Sequence, residues 1–138
     1  MVKGVLVETG FLLALNPRNK HHDWALQLLK QAKRGDIRLF ISSPAILELT
    51  LILRSRGIDD KSIEILLESM NIAIRSYTKP NYVQVTLESA ALASHLRQKY
   101  PDLTFFDSYH AALAIINNLE YYDLDPIVQR VVSREQKP

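Results

Sequence analysis

A chain of 138 residues, 47 % of them hydrophobic and with a formal net charge of +2 at neutral pH, has the size of one ordinary domain and enough apolar content to bury a core. It contains no cysteine, which excludes disulfide frameworks and thiolate metal sites, and no apolar run approaches the roughly 18 residues that a membrane helix needs. The opening stretch Met1 to Val7 is too short, and too soon followed by Glu8, for a signal peptide; the expectation is a soluble cytoplasmic protein with no membrane partner. So small a charge does not mark a nucleic-acid binder, for which clustering matters more. Basic residues gather at Lys30, Lys33, Arg34 and Arg38, and again at Arg54 and Arg56, positions that suit solvated helix ends equally well.

In chain order, Val5-Leu6-Val7 is a short apolar run consistent with a buried strand, followed by Thr9-Gly10, the apolar stretch Phe11 to Leu15 and a break at Asn16-Pro17. His22 to Lys33 predicts a helix, with Trp24, Ala25, Leu28, Leu29 and Ala32 on one face, ended by Gly35-Asp36. Ile37 to Ile41 predicts a second strand. Ser43 is then a candidate N-cap, with Pro44 at the first helical position, of a helix that Gly57 stops. A helix from Asp59 to Met70, a third strand at Ile72-Ala73-Ile74 and an amphipathic helix from Val83 to Lys99 come next. Asp107 to Asn117 predicts a further helix, Leu119 to Tyr122 a fourth strand, and Pro126 onward a last helix; residues 133–138 are expected to form a flexible tail. Phe105, Phe106, Tyr121 and Tyr122 are read as core aromatics. Short strands alternating with helices predict a parallel sheet covered on both faces. There is no repeat and no linker, so residues 1–132 are expected as one domain.

Five acids stand in unusual surroundings. Glu8 follows a strand directly, Glu48 lies among Ile46, Leu47, Leu49 and Leu51, Asp107 follows two phenylalanines, and Asp123 and Asp125 follow the last strand. The carboxyl ends of parallel strands line one crevice, where Glu8 and the Asp123/Asp125 pair would end strands while Glu48 and Asp107 sit on nearby early helical turns. Crowded carboxylates stay ionised only with cationic compensation, and no Lys or Arg lies beside Glu8, Glu48 or Asp107. A hard divalent cation, Mg²⁺ or Mn²⁺, is the simplest answer. Each acid has an ordinary alternative: Asp107 suits a helix N-cap, Glu8 suits the start of the following helix, and Asp123 and Asp125 suit loop caps. His21 and His22 are adjacent and so point apart on a helix, which favours a polar helix start over a metal site; His110, one turn after Asp107, either bonds a site carboxylate or faces the core.

These residues resemble the PIN-domain family. Val5-Leu6-Val7-Glu8-Thr9-Gly10-Phe11-Leu12 is similar to its opening motif of strand, acid, Thr or Ser, and apolar helix. Ile41-Ser42-Ser43-Pro44-Ala45-Ile46-Leu47-Glu48 resembles its second motif, and Thr104-Phe105-Phe106-Asp107-Ser108-Tyr109-His110-Ala111-Ala112 its third. The resemblance implies a three-layer α/β/α sandwich with a short-stranded parallel sheet. It also implies an Mg²⁺- or Mn²⁺-dependent endoribonuclease, in many members the toxin of a VapC-type toxin–antitoxin pair, with RNA as substrate, a small antitoxin protein as partner and a homodimer as the assembly. The catalytic and metal-holding residues carried over are Glu8, Glu48, Asp107 and, by gap-free counting from Asp107, Asp125; Thr9, Ser43, His110 and Asp123 support them. Two departures stand out. The family normally has Asp where Glu8 stands, and Asp123-Leu124-Asp125-Pro126 replaces the usual Ser/Thr-x-Asp followed by a basic residue. The alternative they raise is a catalytically weakened or inactive PIN fold that binds RNA or a protein. A third class, aspartyl-phosphate chemistry at Asp123-Leu124-Asp125, needs a whole domain after the motif, and only 13 residues follow Asp125.

Overall fold

The computed structural model describes residues 2–136. Its strands are β1 (Lys3–Val7), β2 (Ile37–Ser42), β3 (Asn81–Val83) and β4 (Glu120–Tyr121), and its helices α1 (Thr9–Ala14), α2 (His22–Arg34), α3 (Pro44–Ser55), α4 (Asp60–Arg75), α5 (Leu87–Lys99), α6 (Phe105–Ile116) and α7 (Pro126–Glu135). All strand pairs are parallel, in the order β3-β2-β1-β4. Neighbouring side chains of a strand point to opposite faces, and β1 shows the consequence. Val5 and Val7 enter one core with Phe11, Leu28, Leu49 and Ile74, from α1 to α4. Leu6 enters the other with Leu96, Ala112, Leu113 and Val128, from α5, α6 and α7. The result is the three-layer α/β/α sandwich with a short-stranded parallel sheet. Among the described residues no helix is long and apolar enough to cross a membrane.

The structure redraws several expected elements. Ile72-Ala73-Ile74 is helical, not a strand: Ile63, Leu67, Met70 and Ile74 recur at helical spacing and all meet the core, so helix periodicity overrides a short β-branched run. The third strand lies at Asn81–Val83 instead, with Ile41 opposite Tyr82. The helix expected from Val83 starts at Leu87, because Thr86 caps it and forms a reciprocal box with Ser89. α6 begins at Phe105, earlier than expected, behind its cap Thr104. Of the expected core aromatics only Tyr121 is buried; Phe106 and Tyr122 are half-buried, and Phe105 is 57 % exposed.

The tail is corrected as well. Residues 133–135 continue α7, and Glu135 accepts hydrogen bonds from Lys99 (2.8 Å) and Tyr100 (2.5 Å). Gln136 Nε2 donates to the carbonyls of Ala114 (3.1 Å) and Leu119 (2.7 Å), tying α7 back to the turn before β4; residues 137 and 138 lie outside the described part. A chain ended at residue 132 is therefore expected to lose about 2 kcal/mol of stability, the worth of the two partly buried Gln136 hydrogen bonds. Thermal unfolding of the shortened and full chains measures this, and equal midpoints would show that the segment is only a tail.

Candidate functional site

The register of the sheet decides which residues meet. Val7 of β1 lies opposite Ile41 of β2, and Leu6 lies opposite Tyr121 of β4, so these three strands finish side by side. The residues at or just past their ends, Glu8, Ser42 and Asp123, then face a shared crevice closed by α1, α3 and α6, in keeping with where parallel sheets place their sites.

Glu8 is buried and caps α1: its Oε1 accepts from the backbone N–H groups of Thr9 (2.5 Å) and Gly10 (3.4 Å), and its Oε2 accepts from the Tyr121 hydroxyl (2.8 Å). Asp123, also buried, packs against the same turn. Its Oδ2 accepts from the backbone N–H groups of Glu8 (2.7 Å) and Phe11 (3.0 Å), and its Oδ1 from that of Leu124 (2.7 Å). Gly10 makes this approach feasible, since a Cβ there would lie 2.2 Å from Asp123 Oδ1.

Glu48 reaches in from the second turn of α3. Its Oε1 accepts from Thr9 Oγ1 (2.5 Å) and from His110 Nε2 (2.9 Å), while its Oε2 accepts no hydrogen bond among the described residues. His110 is fully buried on α6. Its Nδ1 shares a 2.7 Å hydrogen bond with Ser42 Oγ, and its Nε2 stands 3.9 Å from Glu8 Oε1. Ser42, Thr9 and His110 therefore fix the Glu48 carboxylate from the β2, α1 and α6 sides.

The charges are strongly coupled. Burial pushes the Glu8 carboxyl above the ordinary carboxylate range; His110 pulls it back and the charge of Asp123 pushes it further up. Burial raises Asp123 too, against the backbone hydrogen bonds that favour its anion. Burial alone would raise Glu48, but the hydrogen bonds from His110 and Thr9 outweigh it and hold Glu48 low. For His110 burial opposes the imidazolium, yet the bond to Glu48 and the charges of Glu8, Glu48 and Asp107 raise it above its usual value. Tyr121 is held far above the normal phenol range by burial and by Glu8 and Asp123, so it remains a donor.

Of the residues singled out from sequence, the structure brings together Glu8, Thr9, Glu48, His110 and Asp123. Asp107 sits half-buried at the third position of α6, in a reciprocal box with Thr104 (3.2 and 3.3 Å), and its charge bears on His110 one turn on. Asp125, expected as the fourth site acid, is the N-cap of α7, accepting from Ile127 (2.9 Å) and Val128 (3.4 Å). Asp123, expected only in support, holds the place beside Glu8. Both acids lie in the turn between β4 and α7, with Asp123 facing Glu8 and Asp125 facing the start of α7. Ser43, expected in support as the α3 cap, makes no side-chain cap bond; its neighbour Ser42 reaches the site. Ser42 and Tyr121 do not figure among the site candidates read from sequence, although each ends a strand, Ser42 beside Ser43 and Tyr121 two residues before Asp123.

This donor set fits a divalent cation. Glu8, Glu48 and His110 each offer a ligand atom, all within 4.8 Å of one another; three carboxylates face one imidazole, and Glu48 keeps an uncommitted oxygen. Without the ion, the folded chain binds protons on Glu8, Asp123 and His110 more readily than the unfolded chain does. Stability from these groups is present at mildly acidic pH and lost as pH rises through their raised values. Glu48 acts oppositely, its contribution failing only as pH falls through its lowered value. In EDTA the midpoint of thermal unfolding is therefore expected to be higher near about pH 6 than near about pH 8, and Glu8→Gln is expected to raise the midpoint at the higher pH. Loss of stability on Glu8→Gln at about pH 8 would mean that the Glu8 charge is already compensated within the fold.

Comparison with known proteins agrees with the geometry. The family model described as the PIN domain matches residues 5–132. No curated protein matches the chain by sequence. Among solved structures, the crystal structure of Mycobacterium tuberculosis VapC20, a sarcin-ricin loop cleaving toxin, superposes with a TM-score of 0.60 at 18 % identity, covering 91 % of this chain and 93 % of that one; the likeness is one of fold. With the family model spanning nearly the whole sequence and the sheet, helices and acidic crevice in place, the chain belongs to the PIN domain family.

Proposed function

We propose that this protein is a divalent-metal-dependent endoribonuclease of PIN type. The observation that carries the reading is the meeting of Glu8, Glu48 and His110, with ligand atoms within 4.8 Å, at the carboxyl end of a parallel sheet beside a third buried acid, Asp123. Glu8 and Glu48 would hold Mg²⁺ or Mn²⁺, both suited to carboxylate oxygens, with Asp107 and Asp123 completing the negative field. When bound, such an ion acidifies a water and neutralises charge on a phosphoryl oxygen. The chain's own groups do the rest. Tyr121 fixes Glu8, Thr9 and His110 fix Glu48, and Ser42 fixes the His110 ring. Asp107, whose charge bears on His110, would take the proton of an attacking water.

A second reading, a PIN fold that binds without cutting, is favoured by one specific feature. Both oxygens of Glu8 are already engaged, by α1 and Tyr121, and His110, held above its usual value, brings a protonatable imidazole into the acid cluster. The toxin role and a small antitoxin partner rest on the fold shared with VapC20; exposed Ile65 and Ile72 on α4 offer apolar surface for a protein partner or a second copy. Growth arrest on induction, relieved by the product of an adjacent gene, is the test of that part.

For the nuclease reading, wild type is expected to cut a mixed RNA pool in Mn²⁺ and not in EDTA. Glu48→Gln is expected to lose about 100-fold or more in rate, because a metal-holding carboxylate and its positioning network go together. Gel electrophoresis of the pool measures it. Absence of Mn²⁺-dependent cleavage by folded wild type would favour the binding module.

A further inference from the structure

Beside the acid crevice, α3 and α6 frame a hollow of about 310 Å³ lined by Ser43, Pro44, Leu47, Val85, Phe105, Phe106 and Tyr109. Its wall is apolar and bears no charge, yet much of it faces solvent: Phe105 is 57 % exposed, Leu47 66 % and Val85 44 %. Such exposure is costly for three large apolar side chains on one patch and points to an occupant. The rings are organised. Phe105 and Phe106 meet edge to face with centroids 5.5 Å apart, and Phe105 and Tyr109 are tilted at 5.1 Å. Arg97 stands over Phe105 at 5.2 Å and over Tyr109 at 6.0 Å. Its guanidinium is steadied by the hydroxyls of Ser108 (2.6 Å) and Ser94 (3.1 Å) and, among the described residues, pairs with no carboxylate.

The hollow and the acid site are carried by the same elements: Leu47 and Glu48 sit on α3, and Phe106 and Asp107 on the first turn of α6. The volume admits a planar ring but not a docking helix, whose diameter is about 10 Å. A lone arginine above exposed aromatic rings matches a stacked base followed by a phosphate, the pattern by which proteins hold unpaired nucleotides.

We propose that this hollow is a stacking subsite for one unpaired nucleobase of a single-stranded RNA, with Phe105 as the platform and Arg97 bearing on the adjoining phosphate. The proposal rests on the nuclease reading and adds to it a base contact at Phe105.

The test uses the full chain in Ca²⁺, with strands confirmed intact by electrophoresis, and two fluorescein-labelled probes of equal length: an oligouridylate and an abasic ribose-phosphate strand. Fluorescence anisotropy is expected to show oligouridylate binding weakened about 10-fold by Phe105→Leu, the scale of one lost base stack, and kept by Phe105→Trp. Abasic binding is expected to be unchanged by Phe105→Leu, whereas Arg97→Gln weakens both probes. Three results would overturn the subsite: equal oligouridylate affinity of wild type and Phe105→Leu, equal loss on both probes, or a dimer of the chain that Phe105→Leu dissociates in sedimentation. Mn²⁺-dependent cleavage measured in parallel separates the two claims. Cleavage with affinity indifferent to Phe105 removes the subsite alone, while Phe105-dependent binding without cleavage removes the nuclease reading alone.

Discussion

Two carboxylates, Glu8 and Asp123, are buried against the same helical turn, and most of the local architecture answers to that. Ionised groups so placed repel one another and lose hydration, which is why both resist ionisation more than ordinary acids do. The fold offsets part of the cost with backbone N–H groups at the start of α1, with the Tyr121 hydroxyl and with the imidazole of His110. It does not offset all of it, because Glu48 brings a third negative charge to the same His110. A fold that keeps such an excess of negative charge sacrifices stability for a site that favours a cation.

The glutamate at position 8 shapes how this is done. The resemblance leads one to expect the shorter aspartate there. With one more methylene, Glu8 curls back to cap its own helix through Oε1 and still reaches Tyr121 through Oε2. Asp123 takes up the space on the other side of the turn, where only glycine at position 10 leaves room. The longer acid is therefore embedded in a matched set of neighbours, so its position cannot be judged from the length of its side chain alone.

The uninterrupted apolar run Val5-Leu6-Val7 was enough to indicate a buried strand, and the order of strands and helices indicated the parallel sheet covered on both faces; both are local patterns of apolar residues. Glu48 was legible because an acid on an apolar helix must find a partner. His110 was legible only as a choice between core and site, and the structure shows it doing both. Less legible were features that depend on where the chain turns. β3 has only three residues, too few for periodicity to register. Ser42 and Tyr121 matter through contacts made across 68 and 113 residues of sequence, which no local pattern reports. Phe105 was read as core because aromatic residues usually are; it is exposed as the first residue of α6, ahead of the buried turns.

The central claim is that Glu8 and Glu48 form a cation site and that His110 orients rather than replaces the ion. Diffraction from crystals grown in Mn²⁺, with data collected at the manganese edge, tests it most directly. The account predicts an anomalous peak about 2.1 Å from an oxygen of Glu8 and of Glu48, with the Ser42–His110 hydrogen bond preserved. A crevice with no peak at saturating Mn²⁺, and with His110 still bonded to Glu48 and near Glu8 as it is here, would contradict it and leave the imidazolium as the cation that the acids were built around.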